Sequence, residues 1–276
     1  MEIFAAPARE AFWMIGVMGL VFGLLALATK RSGILAAIFR VQGEFATNLG
    51  LALVNLILLA PLFVIPAKSL HDTVGTHPWL VALWPHVPEL LLLVLVILIY
   101  DLMVYWRHRL EHHPLLWRFH ATHHADTHYH WLTVLRKHPV SNLFSRMVDV
   151  LLLLLLGFPP WAIALAGLIR SFWGFFIHAD VPWTLGPAGA WLISPAAHRL
   201  HHIRDEALMG ANYGNTVTVW DRLFGTYVDP TPHVRCETGI AEGTRGVMGE
   251  LLRPWERRYR LSFKPTRRNV AAKTVS

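Results

Sequence analysis

Three long apolar runs occupy much of the first 106 positions, approximately Ala11 to Thr29, Leu49 to Ala67 and Pro88 to Trp106. Each approaches the roughly 20 residues that a helix needs to cross about 30 Å of hydrocarbon at 1.5 Å per residue. The pattern predicts three transmembrane helices. A fourth apolar region, Met147 to Ile177, is longer but is broken by "GFPP" at Gly157 to Pro160, where paired prolines remove backbone donors and favour a turn. Its first leg, Val148 to Phe158, covers only about 16 Å. This region is therefore read as a helical hairpin that enters and returns to one side, with Asp149 and Arg170 facing protein rather than lipid.

Between and after these runs the pattern turns polar. Residues 1–106 hold the three spans, 107–146 a first histidine-rich cap segment, 147–177 the membrane hairpin, and 178–276 a second cap segment ending in the basic tail "RPWERRYRLSFKPTRRNVAAKTVS". The expected fold is a single membrane-embedded all-α domain: transmembrane helices plus a hairpin, carrying a helical cap. No internal repeat or low-complexity linker divides it.

The charges orient this layout. Lys30, Arg31 and Arg40 follow the first span against Glu44. Arg107, Arg109, Arg118, Arg136, Lys137 and Arg146 follow the third against Glu111 and Asp126, while only Lys68 against Asp72 follows the second. The positive-inside rule then puts the N-terminus outside and the cap on the cytoplasmic side of a multi-pass protein. A bacterial cytoplasmic membrane is expected in preference to the endoplasmic reticulum. The start, "MEIFAAPAREAFWM", lacks a basic n-region, so the first apolar run is kept as a span.

Composition agrees. The chain is 54% hydrophobic and 16% charged over 276 residues, too apolar for an ordinary soluble domain. The formal charge of +7 sits in loops beside the apolar runs, which favours an anionic lipid surface over nucleic acid. With Cys236 as the one cysteine, an internal disulfide and a thiolate metal site are both excluded. Any metal must be held by nitrogen and oxygen.

Nitrogen is abundant. His108-x-x-x-His112-His113 and His120-x-x-His123-His124 follow the third span; beyond the hairpin come His178 in "FFIHAD" and His198-x-x-His201-His202 in "SPAAHRLHH". Residues three and four apart share a helix face, so each group can aim two or three imidazoles at one point. Isolated histidines such as His71, His77, His86 and His233 need no such reading. Converging imidazoles would repel one another if protonated and waste hydrogen-bonding capacity if neutral, unless a cation uses their lone pairs. One zinc ion takes about four ligands, so this many histidines suggest two ions. Imidazole alone does not choose among zinc, copper, iron and nickel, and the zinc-protease motif His-Glu-x-x-His is absent.

The order HxxxHH, HxxHH, a lone histidine after a hydrophobic hairpin, then HxxHH resembles the fatty acid hydroxylase and sterol desaturase superfamily of integral-membrane di-iron enzymes. The resemblance extends to Asp101, Tyr105, "LWRFHATHH", "RKHP" around His138, "NYG" at Asn212 to Gly214 and "WDRLFGTY" from Trp220 to Tyr227, and covers roughly residues 95 to 230. It implies two iron ions on His108, His112, His120, His123, His124, His178, His198, His201 and His202. His113 is a close further candidate, and His138 stands between ligand and outer partner. Asp101, Tyr105, His108 and His112 fall on one helical face, so Asp101 is expected to orient a ligating imidazole through its other ring nitrogen. Asp180 and Asn212 are weaker candidates for such support. "WDRLFGTY" is read as a structural anchor.

The resemblance further implies O2 as co-substrate and hydroxylation or desaturation of a lipid C–H bond in a sterol, fatty acyl chain, alkylglycerol or carotenoid. No "HPGG" haem segment, cysteine cluster or Gly-rich dinucleotide fingerprint is present, so electrons must come from outside, from a ferredoxin or a b-type cytochrome with its reductase. Trp173, Phe175 and Phe176 before His178 are either an apolar route to the cap or ordinary belt and core. Two other classes remain: a zinc-dependent membrane hydrolase, isomerase or metal carrier, and a structural membrane protein whose histidines sense pH. Iron, zinc or no metal in the purified protein separates the three.

Overall fold

The computed structural model describes residues 2–74 and 78–259; side chains at 2–8, 60–74 and 150–152 lie outside the description, as does the basic tail from 260 onward. The described residues are mostly helical. Among the described residues there is no β-strand, only the isolated bridges Leu192–Val217 and Ile203–Thr238.

The base starts with α1 (Glu2–Lys30) and α2 (Ile34–Val74), which pack on each other and are joined by the turn Arg31–Gly33, where Arg31 takes φ 47°. The expected loop before a second span at Leu49 is instead the first four turns of α2. The reason is its two-sidedness. Glu44 and Asn48 are buried against the cap, whereas Leu35, Ile38 and Phe39 stay exposed on the apolar side. The part of the expected second span from residue 60 onward, and His71 and Asp72 beyond it, lie outside the described side chains.

A short α3 (Pro78–Leu83) leads to α4 (Glu89–Glu111), 23 residues that begin directly after Pro88 and span about 35 Å at 1.5 Å each. That length carries one helix from the apolar layer into the cap, so His108 and Glu111 arrive on the same rod as Leu92 and Val96. The hairpin is α6 (Pro139–Leu155) and α7 (Pro160–Ile177), turned at Gly157 with φ 64°, a conformation that glycine adopts without a Cβ penalty. Leu153, Phe158, Ala162 and Ala166 pack on Leu92 and Val96 of α4. The first leg starts at Pro139 rather than Met147, and is longer than its apolar run because Ser141, Asn142 and Ser145 bury a polar face. Asp149 pairs with Arg107 at 2.8 Å, as its place on the protein side requires.

The run Arg9–Leu59 and the helices α4 and α7 are long and apolar enough to cross a membrane. Leu20, Leu24, Leu53, Ile57, Leu90 and Leu168 on these helices are exposed, which suits lipid and not water. Trp173, Phe175 and Phe176 are core. Phe175 packs with Phe22 of α1, and Trp173 donates to the Ile193 carbonyl.

The cap comprises α5 (Pro114–His124), α8 (Pro195–His201), α9 (Val219–Leu223), α10 (Val247–Leu252) and connecting loops. Arg136, fully buried, fastens it to the base. Its guanidinium donates to Glu44 of α2 and Glu250 of α10, both at 2.6 Å, and to the Thr122 carbonyl of α5 at 2.9 Å.

Candidate metal centre

Among the described residues, nine histidines converge in two groups. His108, His112, His120, His124 and His201 form one; His123, His178, His198 and His202 form the other; within each group the ligand nitrogens lie within 4.8 Å of one another. Helical geometry produces the partition. In α5, His120 and His124 share a face and enter the five-histidine group, while His123, rotated away, enters the four-histidine group. In α8 the assignment is reversed: His198 and His202 go to the four, and His201 to the five. The pairs His123-His124 and His201-His202 thus each send one ring to each group, and the groups adjoin, with His124 and His202 stacked at 4.3 Å between centroids.

The supports of these rings are main-chain carbonyls. Nδ1 of His108 meets the Tyr213 carbonyl at 2.9 Å, that of His201 the Ala211 carbonyl at 2.7 Å, that of His123 the Arg136 carbonyl at 3.2 Å, and that of His178 the Gly174 carbonyl at 2.6 Å. A carbonyl only accepts, so each of these Nδ1 atoms carries the ring hydrogen and each Nε2 presents a lone pair. The Nε2 atoms of His108 and His201 then face each other at 3.0 Å with no hydrogen between them. Seven further nitrogens, His112 Nε2, His120 Nε2, His198 Nδ1 and both nitrogens of His124 and His202, are buried without a hydrogen-bond partner. Each such orphan costs about 1–3 kcal/mol. A pair of cations accounts for both the facing lone pairs and the orphans, so the donor set fits two metal ions with imidazole ligands.

Burial and neighbouring charge keep the rings ready for that use. Desolvation pushes His201 down to about 4 and His178 to about 3, and holds His112, His120, His123, His124, His198 and His202 well below the ordinary imidazole value. The rings therefore stay neutral at physiological pH, the state that binds metal.

The remaining sequence candidates lie elsewhere. His113 is exposed; its Nδ1 accepts the Leu115 N–H and caps α5, because Pro114 turns the chain and directs this ring away from both groups. His138 is held by the Leu251 carbonyl and the Val140 N–H. Asp101 touches no imidazole: its carboxylate accepts the N–H groups of Thr216 and Val217 at 2.9 and 3.2 Å, about two turns before His108 on α4. Asp180 bridges Lys30 and Arg199, tying α1 to α8 beside His178.

Asn212 does not contact a ring either, but it sits between Ala211 and Tyr213, whose carbonyls hold His201 and His108. It takes φ 53°, donates to the carbonyls of Ala197 and Val228, and accepts the Val228 N–H. Asp221, inside the stretch read as an anchor, accepts the N–H groups of Tyr213 and Gly214 at 2.7 and 2.8 Å. Glu111 lies 3.7 Å from His120 Nδ1. Sequence reading passed over Asp221 and Glu111; the aspartate in "WDRLFGTY" and the glutamate in "HRLEHH" were the available signals.

Residues 93–226 match the fatty acid hydroxylase family. The chain is 31% identical over 197 residues to an ornithine lipid hydroxylase of Rhizobium tropici, covering 71% of this chain and 57% of that protein. It is 33% identical over 128 residues to the alkylglycerol monooxygenase of Homo sapiens, covering 46% of this chain and 28% of that protein. A probable Delta(7)-sterol 5(6)-desaturase of Neurospora crassa is 30% identical over 144 residues, 49% of this chain and 38% of that protein. The chain thus spans little more than half of the first relative and less of the others. No solved structure matches it.

Proposed function

We propose that this chain, whose residues 93–226 match the fatty acid hydroxylase family, is a membrane-bound di-iron oxygenase that hydroxylates or desaturates a C–H bond of a lipid, using O2 and electrons from an external donor. The observation that carries the proposal is the pairing of five and four buried imidazoles in adjoining groups, with nitrogens that have no protein partner. His108, His112, His120, His124 and His201 would hold one iron and His123, His178, His198 and His202 the other. Such a pair supplies O2 reduction and the oxidation of an unactivated C–H bond, which side-chain acid–base chemistry does not reach.

The chain's own residues do the placing. The carbonyls of Tyr213, Ala211, Arg136 and Gly174 fix four rings in one tautomer and aim their lone pairs inward. Burial of all nine side chains keeps bulk water from the site, which protects against leakage of protons into the reaction. The exposed apolar faces of α1, α2, α4 and α7 keep the base in the bilayer, so a substrate that arrives along them is a lipid. The names of the relatives point to the same class: an ornithine lipid, alkylglycerols and a sterol. By the positive-inside rule the cap lies on the cytoplasmic side, where a ferredoxin or b-type cytochrome can dock.

Metal analysis of the purified chain is expected to give two irons per chain, and lipidomics of a host with and without it a product gaining one oxygen or losing two hydrogens. Stoichiometric zinc without lipid oxidation would overturn the proposal in favour of a hydrolase or carrier.

A further inference from the structure

We propose that Glu111 is a positioning residue for His120 and gives the five-histidine group an anionic partner that the four-histidine group lacks, making the two ions electronically unequal. This rests on the two-ion reading above.

Glu111 is the last residue of α4 and is 2% exposed. Its Oε2 takes the Arg107 guanidinium; its Oε1 lies 2.7 Å from the Ser141 hydroxyl, 2.9 Å from that of Ser145, and 3.7 Å from His120 Nδ1. The Ser145 hydroxyl has one hydrogen and a competing acceptor in the Ser141 carbonyl at 2.8 Å. Oε1 therefore retains a lone pair for the ring. His120 Nε2 has no other partner, so the ring is set with one nitrogen toward the carboxylate and the other toward its group.

No other ring of the nine is treated this way. His108, His201, His123 and His178 meet neutral carbonyls. Asp126 is directed to Asn48, Thr133 and the His128 N–H, with His130 as its nearest ring, and Asp180 to Lys30 and Arg199. Among the described residues, no other carboxylate oxygen lies within 4.0 Å of a nitrogen of the nine rings. Solvent does not damp the effect. The gap beside Glu111, lined by Leu116, Phe119, Val140, Ser141 and Phe144, measures about 10 Å³, room for one water at most. A carboxylate at one ring nitrogen raises the basicity of the other.

The test is Glu111→Gln in the full-length, iron-loaded protein, read by iron-57 Mössbauer spectroscopy and by the iron remaining after graded chelation. The wild type should give two signals of equal area. Glu111→Gln should shift one, leave the other in place, and weaken one iron by roughly 10- to 100-fold. Two irons whose signals both stay put, or move together, would overturn the role of Glu111; a wild type that does not hold two irons would overturn the metal reading itself. Ser141→Ala is the companion variant. It keeps the Arg107–Glu111 pair, and by removing a neutral donor from Oε1 it should move the same signal in the opposite sense, so it decides the matter if Glu111→Gln does not fold. An unshifted signal in Ser141→Ala would then count against the proposal.

Discussion

Replacing Asn212 separates two things that the backbone does for the centre. The residue holds φ 53° and makes three side-chain hydrogen bonds that clamp the segment between Ala211 and Tyr213. At roughly 1 kcal/mol each, losing them costs about 3 kcal/mol in any variant without the amide. Asn212→Ala keeps a Cβ in the left-handed region, which costs about 1–2 kcal/mol relative to glycine. Asn212→Gly avoids that cost but gives back about 0.4–1 kcal/mol in unfolded-chain entropy. The glycine variant should therefore be the more stable of the two by roughly 0.5–1 kcal/mol, the reverse of the order inside a helix. Thermal unfolding in detergent measures the order. Both variants should also lose iron, because the carbonyls that fix His201 and His108 are displaced together. An alanine variant at least as stable as the glycine variant, or full iron retention in both, would refute this reasoning.

His201→Ala should abolish iron at the five-histidine group and lipid oxidation while leaving membrane insertion intact, whereas His113→Ala, at an exposed capping position, should change neither; metal analysis with a product assay distinguishes them. In metal-stripped protein, the unfolded chain binds more protons than the folded one below an imidazole's ordinary value near 6.5, because burial holds His201 at about 4 and His178 at about 3. Stability should be full above roughly pH 6.5 and fall as pH drops toward 4 and then 3, by roughly 3 and 5 kcal/mol for the two groups at the limit; denaturant unfolding that is flat between pH 7 and 5 would contradict this. Arg136→Met should destabilise the chain by about 3–5 kcal/mol, since it strips Glu44 of its guanidinium, and adding Glu44→Gln should recover part of the loss. A double variant no better than the single one would show that the ion pair is not the source of the cost.

Much of this protein was legible because its signals are local. A run of apolar residues long enough to cross a membrane must be covered by lipid or protein wherever it sits, so α4 and the turn at Gly157 to Pro160 followed from residue order alone. Helical spacing likewise showed that the histidine groups could chelate. Where polar residues shared a helix with apolar ones, the reading failed. The first turns of α2 and α6 looked like loop because Glu44, Asn48, Ser141 and Ser145 interrupt the pattern, yet each is buried against a partner far along the chain.

What the sequence by itself determined is that ten imidazoles would leave the bilayer on a few helices at spacings that let them converge; the structure leaves His113 out. What the tertiary structure alone decided is which ring joins which group, and what stands behind it. His123 and His124 are neighbours in the chain and part company because adjacent residues on a helix point about 100° apart, and the direction of each is read only against α7 and α8. The supports of four rings are carbonyls of Tyr213, Ala211, Arg136 and Gly174. Every residue has a carbonyl, so the sequence cannot mark these four; only the path of the folded backbone brings them to the rings.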